Sequence, residues 1–145
     1  VLGADYRGYH SNISRTLFVG GASHEQRRAL ETVMEAHHLA ERDLKPGTRL
    51  LDIEEKIRET IEARGYGENY VAGFAHGVGL LIEEDPITTI VVPHRRYPVI
   101  ENMVLAAIHA PLAIPGVGSV KCEDTFIVRS LGAEKITSYD YEIIK

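Results

Sequence analysis

Between residues 24 and 64 the apolar positions keep a helical spacing, and on either side of that stretch they do not. Leu30, Val33, Met34, His37 and Ala40 recur at steps of three and four, which lays one buried stripe along a helix. Ser23 stands three residues ahead of Gln26, the spacing at which two side chains satisfy the free amides of a helix start. A helix is therefore predicted over about His24–Leu44, stopped by Lys45-Pro46-Gly47. Leu50, Ile53, Ile57 and Ile61 set out a second stripe, with Asp52, Glu54, Glu55, Lys56, Arg58 and Glu59 facing water. Thr48 is the expected cap of this helix, about Leu50–Arg64, and Gly65 and Gly67 end it.

The flanking segments read as β. Val1 to Tyr9, carrying Gly3 and Gly8, leads into Ile13–Val19 as a strand pair joined by a short turn. Beyond the helices come short apolar runs broken by Gly and Pro: Tyr70–Val78, Ile87–Val92, Met103–Ile114, Ser119–Cys122, Thr125–Arg129 and Ile136–Ile144. A helix pair followed by many antiparallel strands is an α+β arrangement. Each helix has one apolar stripe, so both are expected side by side on one face of a curved antiparallel sheet. A chain of 145 residues with 44% hydrophobic content supports one core, so 1–145 is read as a single region, one domain or part of one.

Composition narrows the partners. The net charge of -5, from 16 Lys plus Arg against 21 Asp plus Glu, is spread along the chain and gives no support for nucleic-acid binding. No apolar run approaches the roughly 18 residues that a bilayer requires, so no membrane span is expected. The single Cys122 cannot form an internal disulfide and no Cys/His cluster has zinc-finger spacing, which points to a reducing, cytoplasmic setting. The chain opens on Val-Leu-Gly-Ala-Asp without a Met or a basic signal start, as if already within a strand, so more chain is expected upstream.

Four separated segments carry a further signal. Gly8-Tyr9-His10-Ser11-Asn12-Ile13-Ser14-Arg15-Thr16 is similar to a G-Y-x-S-D-x-T-R-T hairpin, and Ala75-His76-Gly77-Val78-Gly79-Leu80 with Asp85-Pro86 to G-H-G-I-G-L-x-x-H-E-x-P. Asn102-Met103-Val104-Leu105 followed by Ile114-Pro115-Gly116 resembles G-M-V-L-x-x-E-P-G-I-Y-x-P-G. Gly118-Ser119-Val120-Lys121-Cys122-Glu123-Asp124-Thr125 resembles G-G-V-R-I-E-D-T. Together, in this order and with the helix pair between the first two, they resemble the C-terminal part of the pita-bread domain of the creatinase, prolidase, aminopeptidase P and methionine aminopeptidase family.

That resemblance implies a pita-bread α+β fold of which only part is present, and a site built for two divalent metals on two Asp, one His and two Glu. The two Asp positions fall on Val1 and Asn12, neither a carboxylate. The His position is His76 and the last Glu position is Glu123. The remaining Glu position falls on Ile108 counted from Met103, or on His109 counted back from Pro115-Gly116, and His109 is favoured. The substrate-contacting His that the family places seven residues after the ligand His is Glu83 here. The resemblance thus implies a degenerate dinuclear site, with no cofactor expected beyond one weakly held divalent ion.

Two functions of different class follow. One is a metal-independent hydrolase in the manner of creatinase, with His76 and Glu123 catalytic, and Glu83 and His109 binding substrate; acidic groups around the site would suit a cation such as a guanidinium. The other is a non-catalytic module that binds a peptide or partner. A working Xaa-Pro metallopeptidase is a third. In each case a small-molecule or peptide ligand enters the cleft, and a homodimer or an upstream domain covers the exposed sheet edge. Simpler roles stay open for the same residues: His76 and His109 as satisfied core histidines, Glu123 as a solvated strand residue, and His94-Arg95-Arg96 as an exposed basic loop.

Overall fold

The computed structural model describes residues 1–107 and 111–139. Strands β1 (Leu2–Tyr6) and β2 (Tyr9–Ile13) form a hairpin closed by Arg7-Gly8, whose φ angles of 55° and 82° match the turn that continues strand twist. The second arm begins earlier than the expected Ile13–Val19. Past Ile13 the chain leaves β1, and Ser14 instead exchanges both backbone hydrogen bonds with Glu123.

Helix α1 (His24–Asp43) carries the full capping box, with Gln26 N donating to Ser23 Oγ and Ser23 N donating to Gln26 Oε1. Its buried face is Ala29, Thr32, Val33, Ala36, His37 and Ala40, rotated from the predicted stripe. The small Ala29 and Ala36 let the helix approach closely, and Leu30 and Met34 are only partly buried. In α2 (Leu50–Ala63), Leu50, Ile53, Ile57 and Ile61 are fully buried as expected. Two details differ. Arg49, not Thr48, is the N-cap residue, and it makes no side-chain capping bond. Glu54 is buried, because its carboxylate accepts from Gly73 N at 2.9 Å and faces Arg95 Nε at 3.5 Å.

The remaining strands are β3 (Ala75–Gly77), β4 (Glu84–Ile87), β5 (Val104–Ala107), β6 (Leu112–Ile114), β7 (Gly118–Val120), β8 (Asp124–Arg129) and β9 (Gly132–Lys135). Five of them form an antiparallel sheet in the order β4-β3-β5-β8-β9, and β6-β7 form a separate pair. Within the predicted run Tyr70–Val78 only Ala75–Gly77 is strand, because Gly73, with a φ of 97°, breaks the extension before it. Ile87–Val92 leaves the sheet after Ile87 and enters a 3-10 turn over Val92–Arg96. That turn places His94 and Arg95 inward: Ile87 N donates to His94 Nδ1, and Arg95 Nε donates to the Thr88 carbonyl. The run Met103–Ile114 is divided between β5 and β6. Residues 136–139 are not strand, and 140–145, the rest of the predicted last run, lie outside the described residues.

Register separates the two faces of the sheet. Ala75, Ala107 and Asp124 align across β3, β5 and β8, as do Leu105 and Phe126, and this face packs on the helices. His76, Ala106 and Thr125 form the row between them, on the opposite face. Ala106 is accordingly buried outside the main core, while the buried α2 positions Leu50, Ile53, Ile57 and Ile61 belong to it. Both helices thus share one face, and the site face is covered by the β1-β2 hairpin. No helix among the described residues is long and apolar enough to cross a membrane.

Because only the first helix is capped by a side chain, Ser23→Ala should destabilise the protein by about 1 kcal/mol. Thr48→Ala should change stability by no more than about 0.5 kcal/mol. Urea unfolding midpoints of the two variants check both values.

Candidate functional site

Three of the residues expected at the site converge. Extended chain alternates its side chains, so Lys121, Glu123 and Thr125 project to the site face, while Cys122 and Asp124 project to the helices. Thr125 Oγ1 straps β2 down, donating to the Asn12 carbonyl at 2.7 Å and accepting from Asn12 N at 3.1 Å. This brings Asn12 Nδ2 to 3.1 Å from Glu123 Oε1. From the neighbouring β3, His76 places Nε2 at 3.4 Å from the same oxygen. Lys121 Nζ lies 2.9 Å from Glu123 Oε2. His76 and Glu123 have no exposed surface and Asn12 is 4% exposed.

The approach of β4 to β3 depends on Gly77. A Cβ there would stand 2.5 Å from the Asp85 carbonyl oxygen and 2.7 Å from that of Glu84, both backbone atoms that cannot move aside cheaply. This close passage sets the turn that carries Glu83, which is exposed. Val1 is also exposed, just ahead of β1 and one position out from the pairing of Leu2 with Ile13. Ile108 and His109 lie outside the described residues.

The protonation of His76 follows from its neighbours. Nδ1 is 2.9 Å from the Gly77 carbonyl oxygen and Nε2 faces a carboxylate, so both nitrogens meet acceptors and a proton on each is favoured. Burial opposes the charge most strongly. The hydrogen bonds to Glu123 and the Gly77 carbonyl, with the negative charges of Glu123 and Glu83, outweigh it together and hold the pKa above the ordinary 6.5.

A second buried cluster lies behind the same strand. Asp124 accepts from Arg15 Nη2 and from Thr137 Oγ1, both at 2.6 Å on Oδ1, and its Oδ2 is 3.0 Å from His37 Nε2. Cys122 joins it, with His37, Cys122 and Asp124 donor atoms all within 4.8 Å of one another. Such a trio has the reach of a metal site, but Arg15 Nη1 stands 3.8 Å from Cys122 Sγ, and its guanidinium already supplies positive charge there. The arrangement fastens α1 and residues 14–16 to β8.

Comparison with known proteins bears on this geometry. The sequence profile of metallopeptidase family M24 matches residues 1–130. The chain belongs to that family. The M24 chain is 34% identical over 143 residues to the Xaa-Pro dipeptidase of Pyrococcus furiosus, covering 99% of this chain and 40% of that protein. Its fold superposes on the prolidase of Pyrococcus horikoshii OT3 with a TM-score of 0.88 at 34% identity, over 98% of this chain and 40% of that one. The X-Pro aminopeptidase of Thermotoga maritima MSB8 gives a TM-score of 0.88 at 27% identity, over 97% and 39%. The M24 chain therefore has the pita-bread fold and spans about 40% of the length of these relatives.

Lys121 was not anticipated at the site. Its signal was available: two residues before Glu123 in extended chain is the same face. His37 was placed on the buried stripe of α1, but its partner Asp124 lies 87 positions away, and no local pattern pairs them.

Two outcomes follow for the M24 chain. His76 should titrate by NMR with a pKa above 6.5. Its stabilising contribution should be fully present below the unfolded value and lost as pH rises through the folded one, so the stability gap between wild type and His76→Gln should narrow toward alkaline pH. Asp124→Ala, which strands Arg15 and His37 in the interior, should cost about 3 kcal/mol in chemical unfolding.

Proposed function

We propose that this chain forms part of a prolidase-, aminopeptidase P- and creatinase-like hydrolase that cleaves a carbon–nitrogen bond without a metal pair, using His76 and Glu123. The observation that carries this reading is His76 Nε2 at 3.4 Å from Glu123 Oε1, with the opposite nitrogen on the Gly77 carbonyl. A carboxylate and a carbonyl fix the ring, and both favour the imidazolium. His76 is then set to deliver a proton from Nε2 to the leaving nitrogen as water adds to the carbonyl carbon and the C–N bond breaks. The proton shed by the water restores the imidazolium. Glu123 orients the ring, held in turn by Asn12 Nδ2. Lys121, 19% exposed, and the exposed Glu83 mark the side from which a ligand reaches the pair.

The donors at the family's metal positions support the same reading. Val1 offers no ligand atom, and Asn12 offers a neutral Oδ1 that lacks a hydrogen-bond partner among the described residues. Glu123 is one carboxylate already beside an ammonium. That set does not suit two dications, which need bridging carboxylates to offset their mutual repulsion. One weakly held ion is compatible with it.

The complete burial of His76 favours a second reading, a non-catalytic module that binds a peptide or partner at the same face. A homodimer or neighbouring domain is proposed over the exposed apolar Val1, Leu2, Tyr6 and Tyr9 of the hairpin. A cytoplasmic location accords with the lone Cys122.

Xaa-Pro dipeptides, simple amides and guanidino compounds assayed with the full-length protein separate these readings. Turnover is expected to resist strong chelators and to fall about two to four orders of magnitude in His76→Ala. Loss of turnover on chelation would instead identify an Xaa-Pro metallopeptidase. Absence of turnover with every class, and a bound peptide that persists in His76→Ala, would leave the binding module.

A further inference from the structure

We infer that His94 is a proton-sensitive latch on the edge of the sheet: neutral, its Nδ1 holds the Ile87 amide opposite His76, and once protonated it engages Asp85 and lets that amide go. β4 is the edge strand, and Thr88 N donates to the Ala75 carbonyl across the pairing with β3 at 3.0 Å. Neighbouring residues of a strand point their amides to opposite sides, so the Ile87 N–H projects off the sheet, where it needs an acceptor. The 3-10 turn over Val92–Arg96 brings one, and Ile87 N donates to His94 Nδ1 at 3.0 Å. The turn is itself tied down, since His94 N donates to the Val91 carbonyl and Arg95 Nε to the Thr88 carbonyl. Ile87 is the register partner of His76, so the latch closes on the residue that lies across from the candidate site.

A backbone amide always carries its hydrogen, so the Nδ1 it reaches must offer a lone pair, which only the neutral ring with its proton on Nε2 can do. An imidazolium carries hydrogen on both nitrogens and cannot accept from Ile87. A second partner stands ready: Asp85 Oδ1, on an exposed side chain, lies 3.6 Å from the same Nδ1. One atom thus serves two states, an acceptor for the β4 backbone without the proton and a donor to a β4 carboxylate with it. Tyr97 stacks on the ring at 4.8 Å between centroids, and the side chain is still 13% exposed, so protons reach it from solvent. The other charged groups around the turn are Arg95 and Arg96 within it, Glu84 on β4, whose carboxylate accepts from Leu81 N, and Glu54 on α2, which faces Arg95 Nε. Arg49, bridged to Pro98 beyond the turn, is paired with Asp52. Asp85 is the carboxylate that these contacts leave for His94. The latch stands whether or not the site turns over a substrate.

NMR of the full-length protein, isotope-labelled at histidine and isoleucine nitrogen and titrated from about pH 8 to about pH 5, tests it. At the alkaline end the His94 ring should carry its proton on Nε2, and a proton on Nδ1 there would overturn the latch. On acidification the protection of the Ile87 amide against hydrogen exchange should fall at least about tenfold, with the midpoint of the His94 ring signals. Because His76 titrates across the same strand pairing, an equal fall with that midpoint is expected in His76→Gln. A fall that follows His76 instead, or no fall, would overturn the assignment. His94→Asn places a carbonyl oxygen, which does not titrate, near the position of Nδ1, so Ile87 should stay protected at both ends of the range. Protection that this variant still loses only at low pH would count against the latch. The ring and amide signals of the unaltered protein decide the matter even where the variant misfolds.

Discussion

The alternation of side chains along one extended segment, Lys121 to Thr125, is the constraint on which the rest of this structure depends. Successive residues serve opposite faces. Lys121, Glu123 and Thr125 build the polar floor beneath the β1-β2 hairpin, while Cys122 and Asp124 fasten the strand to α1 through His37 and to residues 14–16 through Arg15. A shift of one residue in this pairing would exchange the faces and bury Lys121 among the helices. The bridge between Ser14 and Glu123, with the Thr16 clamp on Lys121, holds the register at the point where such a shift would do most damage.

Both clusters solve the same electrostatic problem. A carboxylate removed from water is tolerated when charged or polar donors surround it. Asp124 has Arg15, His37 and Thr137, and Glu123 has Lys121, Asn12 and His76. The first cluster is structural, since Arg15 also donates to the backbone carbonyls of Ser14, Glu123 and Tyr139. The second contains the proton that can move, because burial and hydrogen bonding act on His76 in opposite directions and their balance sets its charge. The proposed chemistry and the stabilising cluster thus sit on opposite faces of one strand.

Much of this was legible in the sequence where the signal is local. The capping box at Ser23 and Gln26 and the Ile53, Ile57, Ile61 stripe each lie within one element, and both helices fell within a residue of their predicted ends. Strand limits were less legible, because apolar content does not reveal where a left-handed glycine or a 3-10 turn interrupts extension, as at Gly73 and Val92–Arg96. The convergence of Asn12, His76 and Glu123 was readable only through four motifs in order. Glu54 was misplaced at the surface because its partners, Gly73 and Arg95, come from distant loops. Lys121 was overlooked although strand alternation alone places it beside Glu123.

The central claim is that His76 and Glu123 work without a metal pair. Anomalous diffraction at the manganese edge, from crystals of the full-length protein soaked in Mn²⁺, tests it most directly. The account predicts no pair of anomalous peaks beside His76 Nε2 and Glu123. Two peaks about 3.5–4 Å apart, ligated by His76 and Glu123, would contradict it.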